Sequence, residues 1–128
     1  MVVCFHMPGR ILIVDDEQGV RTVLTAFLES HGFTVWNAET IAEGLDILNR
    51  ETIDFVLQDM MLSDGDGLDL LERIKTLRPE LPVVIMTGSG CEGGLFEKAK
   101  EKGALDFISK MFSLNDLLTL IQNNQVKE

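Results

Sequence analysis

The chain has 128 residues, of which 45% are hydrophobic and 25% charged, and this composition can supply the core of one globular domain. Its formal net charge is −10, so we do not expect direct binding to nucleic acid, which requires a basic surface. No apolar run approaches the length of a membrane span, and Cys4 and Cys91 lack a metal-type spacing, which indicates free thiols in the reducing cytoplasm.

Five apolar runs alternate with five amphipathic stretches along the chain. The runs predict strands at residues 10–14, 33–37, 54–58, 83–86 and 106–108. Apolar residues at helical spacing predict helices across residues 20–28, 41–48, 68–77, 95–99 and 114–121. Turn signals support these bounds: Gly32 ends the first helix, Thr40 with Glu43 forms a capping box, and Ser113 with Asp116 begins the last helix.

The predicted strands are apolar throughout, which is typical of a parallel sheet covered by helices on both faces. With right-handed crossovers, the alternation predicts a five-stranded, doubly wound α/β domain. We expect this domain to span residues 10–124, with residues 1–9 as an N-terminal extension and 125–128 as a C-terminal tail. The chain is expected to be either a protein of one domain or a domain cut from a longer protein.

Polar and charged residues follow four of the predicted strands. Asp15 and Asp16 follow the first strand, Asp59 the third, Thr87 the fourth and Lys110 the fifth. In a parallel sheet all of these ends lie on one edge, so the side chains should converge. Two like charges about 4 Å apart repel by roughly 4 kcal/mol at an effective dielectric constant of 20, so the cluster must take up a proton or bind a cation.

The chemistry of this cluster points to magnesium and phosphate. Carboxylate ligands suit a hard cation, and a few carboxylates with waters suit Mg²⁺ better than Ca²⁺. A carboxylate can also act as a nucleophile and form an aspartyl phosphate. A cation, an ammonium and a hydroxyl are the groups that position a transferring phosphoryl and stabilise its charge.

Four motifs carry a resemblance to a known family. They are Ile-Leu-Ile-Val-Asp-Asp-Glu at residues 11–17, Leu-Gln-Asp at 57–59 with Gly67 eight residues on, Ile-Met-Thr-Gly at 85–88, and Asp-Phe-Ile-Ser-Lys at 106–110. In this order and on these elements, the chain resembles a response-regulator receiver domain from Arg10 to about Gln122. The resemblance implies a flavodoxin-like (βα)5 fold with strand order 2-1-3-4-5.

The resemblance also implies roles for the residues at the strand ends. Asp59 would accept a phosphoryl group from a sensor histidine kinase or a histidine phosphotransfer protein. Asp16, Asp59 and the backbone carbonyl of Met61 would ligate Mg²⁺, with Asp15 acting directly or through water. Thr87 and Lys110 would hold phosphoryl oxygens.

A conformational switch is a further implication. On phosphorylation Thr87 would move inward and Phe107 would swing in behind it. This movement would reshape the face made by the fourth helix, the fifth strand and the fifth helix, where an output domain or a second copy could bind. Such a domain is a signalling switch that catalyses only its own phosphorylation and dephosphorylation. The apolar Met61 could shield the acyl phosphate from water, which predicts slow dephosphorylation.

Two departures from the family pattern leave an alternative open. The family usually has proline at the positions of Ser63 and Met111, the latter after a cis bond. A cis bond before a residue other than proline costs about 2.5–4 kcal/mol, so the Lys110–Met111 bond is either trans or strained. A degenerate receiver that acts only as a protein-interaction module is therefore the alternative. An aspartyl-nucleophile phosphatase is a weaker one, since it needs a second acid near the nucleophile and usually a cap domain.

Other interpretations apply to several of these residues. Asp15 and Asp16 could cap the first helix, and Thr87 and Phe107 could be plain strand residues. Asp64 and Asp66 are expected to be loop and helix-cap residues and not ligands. Residues 88–93 match the dinucleotide fingerprint G-x-G-x-x-G, but only one strand follows them, so we interpret the stretch as a loop.

Overall fold

The computed structural model describes residues 9–88, 94–109 and 113–123. The strands are β1 (Arg10–Val14), β2 (Thr34–Ala38), β3 (Phe55–Asp59), β4 (Met61–Leu62), β5 (Gly65–Asp66), β6 (Val83–Thr87) and β7 (Asp106–Ser109). The helices are α1 (Gln18–Ser30), α2 (Ile41–Arg50), α3 (Gly67–Leu77), α4 (Leu95–Glu101) and α5 (Leu114–Asn123).

Five strands form one parallel sheet in the order β2-β1-β3-β6-β7. Because β6 and β7 are its fourth and fifth strands along the chain, this is the predicted order 2-1-3-4-5, and the predicted fold class is confirmed. The predicted bounds of β2 and β3 lie one residue too early. The sequence did not predict the short antiparallel pair of β4 and β5, which follows β3 directly.

Apolar side chains cover both faces of the sheet. Leu12 and Val14 of β1 belong to one buried cluster with residues of α2, α3 and α4. Ile11 and Ile13 belong to a second cluster with residues of α1 and α5. All four of these side chains are fully buried, because successive residues of a strand point to opposite faces and helices cover both.

The ends of the helices follow the predicted signals. After α1, Gly32 has a φ of 93°, and its N–H donates to the Glu29 carbonyl while the Phe33 N–H donates to Leu28, which is a Schellman motif. Thr40 Oγ1 accepts from the Glu43 N–H at 3.1 Å, but the Glu43 carboxylate accepts from Glu39 at 2.7 Å instead of closing the capping box on Thr40. Ser113 Oγ accepts from the N–H groups of Asn115 and Asp116 in the first turn of α5.

Within the described residues, none of the helices is long and apolar enough to span a membrane.

Gly103 occupies a position that a side chain would disturb. Its φ is 104°, and a Cβ there would lie 2.9 Å from Cε of Lys75, whose Nζ donates to the Leu81 carbonyl at 2.7 Å. We expect Gly103→Ala to lower the free energy of unfolding by about 1–2 kcal/mol, because a left-handed backbone is strained for alanine. Urea denaturation measures the change.

Gly19, in the first turn of α1, is the matched control. A Cβ there would meet no heavy atom within 4 Å, so Gly19→Ala should stabilise the domain by about 1 kcal/mol through helix propensity. Changes of the same sign in the two variants would contradict this account.

Candidate metal centre at the carboxyl edge of the sheet

Three carboxylates meet at the edge of the sheet where the parallel strands end. Asp15, Asp16 and Asp59 each offer one oxygen, and these oxygens lie within 4.8 Å of one another. Val14 of β1 pairs with Gln58 of β3, so Asp15 and Asp59 are the next residues on two neighbouring strands. Asp15 is fully buried and Asp59 is 6% exposed, whereas Asp16 is exposed. The cluster is therefore anchored in the core and opens to solvent at Asp16.

The backbone around Asp15 is fixed by several hydrogen bonds. Its N–H donates to the Ala38 carbonyl of β2 at 3.0 Å, its Oδ1 accepts from the Glu17 N–H at 2.8 Å, and its carbonyl accepts from the Arg21 guanidinium. The N-cap of α1 is Glu17, so the interpretation of Asp15 and Asp16 as helix caps is wrong. The turn instead holds the two carboxylates at the strand end, beside Asp59.

The donor set suits a hard divalent cation. Three carboxylates with oxygens this close repel one another, and burial of two of them increases the repulsion because less water screens it. Oxygen ligands of this kind are those that Mg²⁺ uses in proteins, with waters completing its octahedron. The acidic cluster is therefore compatible with Mg²⁺.

Asp59 is followed by a short loop, residues 60–66, which we call the acceptor loop because the family resemblance implies that Asp59 accepts a phosphoryl group. The Met60 N–H continues the sheet ladder to the Met86 carbonyl at 2.9 Å, and the Met61 N–H donates to Asp59 Oδ1 at 3.4 Å. The Met61 side chain is 69% exposed. The backbone on both sides of Asp59 is thus held by β6 and by the carboxylate of Asp59 itself.

Gly67 closes the acceptor loop by a close approach of two backbone segments. Its N–H donates to the Met60 carbonyl at 2.6 Å, and a Cβ on it would lie 2.6 Å from the Asp59 carbonyl oxygen and 2.8 Å from Cα of Met60. Only glycine fits there. The buried side chain of Gln58 adds a bond from Nε2 to the Gly67 carbonyl at 2.7 Å. This is the physical reason for a glycine eight residues after Asp59.

The two other acids of the loop act on helix ends. Asp66 is the N-cap of α3 and accepts from the Leu68 N–H at 2.8 Å, so the predicted cap is confirmed. Asp64 reaches across to α2, where its carboxylate accepts from the N–H groups of Ile41 at 2.8 Å and Ala42 at 3.2 Å. The Ile41 bond has the largest effect on the pKa of Asp64 and lowers it; partial loss of hydration opposes this shift, and the Ala42 bond adds to it.

The other predicted site residues lie at or near the same edge, or outside the described residues. Asp59 pairs with Met86 in the sheet, so Thr87, which is 5% exposed, is the next residue on the neighbouring strand. Phe107 of β7 is 6% exposed, and its ring meets that of Phe96 of α4 edge-on at 6.0 Å. Lys110, Met111, both cysteines and the glycine-rich stretch after Gly88 lie outside the described residues.

Three residues that shape the site were not identified from the sequence. Gln58 had a signal, because a polar side chain inside a run predicted to be buried needs a partner. Arg21 lies within α1, and its charge alone does not indicate a bond to the Asp15 carbonyl. Asp64 had no local signal, since its partners lie 22 and 23 residues earlier in the chain.

Comparison with known proteins gives the family. The sequence model of the response regulator receiver domain family matches residues 11–122 of the chain. Sporulation initiation phosphotransferase F of Bacillus subtilis (strain 168) is 35% identical over 111 residues, which cover 87% of this chain and 89% of that protein. A CheY-like response regulator receiver domain protein from Methanospirillum hungatei JF-1 has a similar crystal structure, with a TM-score of 0.86, 32% identity and coverage of 91% of this chain and 93% of that one.

A longer relative shows the same match over part of its length. Transcriptional regulatory protein GlrR of Escherichia coli (strain K12) is 37% identical over 105 residues, or 82% of this chain. The chain spans only 23% of the length of GlrR. The chain belongs to the response regulator receiver domain family, whose members are signalling switches of two-component systems.

The bonds of Asp64 predict a pH-dependent stability. A carboxyl group whose folded-state pKa is lowered stabilises the fold above its unfolded-state pKa, and the contribution disappears as the pH falls through the folded-state value. Since the pKa of Asp64 lies below its ordinary value of 3.8, wild type should be more stable than Asp64→Asn at neutral pH. As the pH falls through the lowered pKa of Asp64, the difference should shrink and then vanish, because both side chains are then uncharged. Urea denaturation across a pH series measures it, and a constant difference at every pH would contradict the assignment.

Proposed function

We propose that Asp59 accepts a phosphoryl group from the phosphohistidine of a sensor histidine kinase or histidine phosphotransfer protein, in a Mg²⁺-dependent reaction in the cytoplasm. The observation that carries the proposal is the convergence of Asp15, Asp16 and Asp59 within 4.8 Å at the carboxyl edge of a parallel sheet. The relative from Bacillus subtilis supports it, because that protein is named a phosphotransferase and this chain covers 89% of it.

In the proposed reaction an oxygen of Asp59 attacks the phosphorus of the donor. A P–O bond forms as the P–N bond to the imidazole breaks, and the imidazole nitrogen keeps the electron pair. The Met61 N–H on Oδ1 orients the Asp59 carboxylate, and the ladder bond from Met60 to Met86 fixes its backbone. Such prior positioning is the main contribution a protein makes to phosphoryl transfer.

Mg²⁺ would neutralise charge on the carboxylates and on the phosphoryl oxygens. Its proposed ligands are Asp16, Asp59 and the Met61 carbonyl, with Asp15 binding directly or through water. Thr87 and Lys110 are the proposed partners of the phosphoryl oxygens, following the family resemblance. Thr87 ends the strand next to β3, which is compatible with this role.

The proposed output surface is the face of α4, β7 and α5. Phe107 is buried and touches Phe96, and Phe96 is 36% exposed on α4, so a movement of the Phe107 ring would change the surface of that helix. An output domain or a second copy of the domain is the proposed partner there. The domain would catalyse only its own phosphorylation and dephosphorylation.

A second candidate function is that of a degenerate receiver that binds partners without being phosphorylated. One observation favours it: Phe107 is only 6% exposed, whereas a ring that swings inward on phosphorylation would be expected to start from a more exposed position. Ser63 and Met111, in place of the usual prolines, also favour it. A wild type that binds its partner but never takes up phosphate would support this candidate.

The phosphoryl acceptor can be tested by mass spectrometry. Incubation with acetyl phosphate and Mg²⁺ should add the mass of one phosphoryl group to wild type, and Asp59→Asn should abolish the addition. Asp66→Asn is the matched control, because Asp66 is an acid of the same segment that caps α3 and lies outside the cluster. It should be labelled like wild type, and labelling of Asp59→Asn would refute the assignment.

The position of Met61 predicts the lifetime of the label. Its exposed side chain lies two residues after Asp59, where it can hinder the approach of water to the acyl phosphate. We expect wild type to keep its label well beyond seconds, and Met61→Ala to lose it roughly threefold faster, a change of about 0.7 kcal/mol in the barrier. Met61→Leu keeps the apolar bulk and should behave like wild type. Loss of label at the same rate in Met61→Ala and wild type would contradict the proposal that Met61 shields the acyl phosphate from water.

A further inference from the structure

We propose that Asp64 is a positioning residue for phosphorylation, because it ties the acceptor loop to the N-terminus of α2 and thereby sets the geometry of the segment that follows Asp59. The inference rests on the function proposed above. It concerns a residue outside the acidic cluster, and it assigns to α2 a part in the reaction.

The contact is a bond between two distant segments. The first N–H groups of a helix have no partner within the helix. In α2, Thr40 accepts from Glu43 at 3.1 Å, whereas Ile41 and Ala42 donate to the two oxygens of Asp64 at 2.8 and 3.2 Å. The N-terminus of α2 therefore has one local acceptor and one supplied by the acceptor loop. A carboxylate is favoured at this end by the helix dipole.

Apolar packing supports the same contact. Gly65 follows Asp64, and a Cβ on it would lie 2.7 Å from Cδ1 of Ile41. The loop thus packs its backbone against the first residue of α2 while Asp64 binds the N–H of that residue. Ile41 is itself 6% exposed, so the loop covers an apolar side chain of the core.

Helix α2 is held in place relative to the acidic cluster by its packing on β1. A Cβ on Gly44 of α2 would lie 3.1 Å from Cγ2 of Val14, the last residue of β1, so the helix packs closely on the strand that leads to Asp15. Asp64 therefore connects the loop after Asp59 to the helix that rests on the strand before Asp15. A change in this bond should alter how the loop sits relative to the acids of both strands.

The rest of the acceptor loop shows why the tip needs such a bond. At its base, Gly67 donates to Met60 and Gln58 donates to Gly67. Between base and tip, β4 and β5 pair over only two residues each. Ser63 and Asp64 form the tip, and Ser63 lacks the fixed φ of proline. The bonds from Asp64 to α2 hold this part of the loop.

The test compares two ways of removing an acceptor from the same helix end. Asp64→Ala removes the acceptor supplied by the loop, and Thr40→Ala removes the local one. Both should weaken the N-terminus of α2, but only the first releases the loop. The full chain is used in each case, at a temperature at which every variant is folded. Mg²⁺ affinity is measured by calorimetry, and the labelling rate with acetyl phosphate by mass spectrometry.

We expect Asp64→Ala to bind Mg²⁺ about tenfold more weakly and to be labelled about tenfold more slowly, with Thr40→Ala within about twofold of wild type. Asp64→Asn keeps one acceptor oxygen, so its Mg²⁺ affinity and labelling rate should lie between those of Asp64→Ala and wild type. If Asp64→Ala does not fold, Asp64→Asn replaces it in the comparison with Thr40→Ala. Equal effects of Asp64→Ala and Thr40→Ala, or no effect of either, would overturn the inference.

The two measurements separate this inference from the proposed function. A wild type that binds Mg²⁺ but takes up no phosphate refutes phosphorylation. The Mg²⁺ affinities of the two alanine variants then decide only whether Asp64 sets the geometry of the segment that follows Asp59. A wild type that is labelled, with unchanged labelling and affinity in Asp64→Ala, refutes only the positioning role. A wild type that binds no Mg²⁺ overturns both.

Discussion

Electrostatic repulsion among Asp15, Asp16 and Asp59 is the constraint on which the rest of the domain depends. A pair of like charges at about 4 Å repels by roughly 4 kcal/mol at an effective dielectric constant of 20. Burial of one large aliphatic side chain contributes about 1.5–3 kcal/mol, and the four residues of β1 from Ile11 to Val14 are all fully buried. The apolar core of the central strands can therefore hold the acids together. The repulsion that remains favours binding of a cation.

The sequence predicted that Asp15, Asp16 and Asp59 lie close together, because topology places these residues. Continuous apolar runs indicate buried parallel strands, and parallel strands bring their last residues to one edge. Asp15 and Asp59 follow such runs, so their proximity required no knowledge of side-chain contacts. The one-residue errors in β2 and β3 left this prediction intact, since the end of β3 at Asp59 is the feature that matters.

The acceptor loop was not predicted in the same detail, because its structure depends on partners that are distant in sequence. Strands of two residues, such as β4 and β5, are too short to show a periodic pattern. The bonds of Asp64 join it to residues 22 and 23 positions earlier, and an aspartate in a loop is usually a turn residue. The Gly67 contact could be anticipated only through the family resemblance, since the glycine itself does not reveal which backbone approaches it.

Ser63 stands where the family usually has proline. The stability that such a proline would add can be compared with the stability that the bonds of Asp64 add. Proline in a compatible position stabilises a fold by about 0.4–1 kcal/mol, mainly by restricting the unfolded chain. Asp64 is exposed, so water weakens its two hydrogen bonds, and together they contribute on the order of 1 kcal/mol. The two devices are similar in strength but differ in what they fix. Proline restricts one φ angle within the loop, whereas Asp64 fixes the position of the loop relative to α2. In this chain the acceptor loop is therefore aligned by a tertiary contact and not by local stiffness.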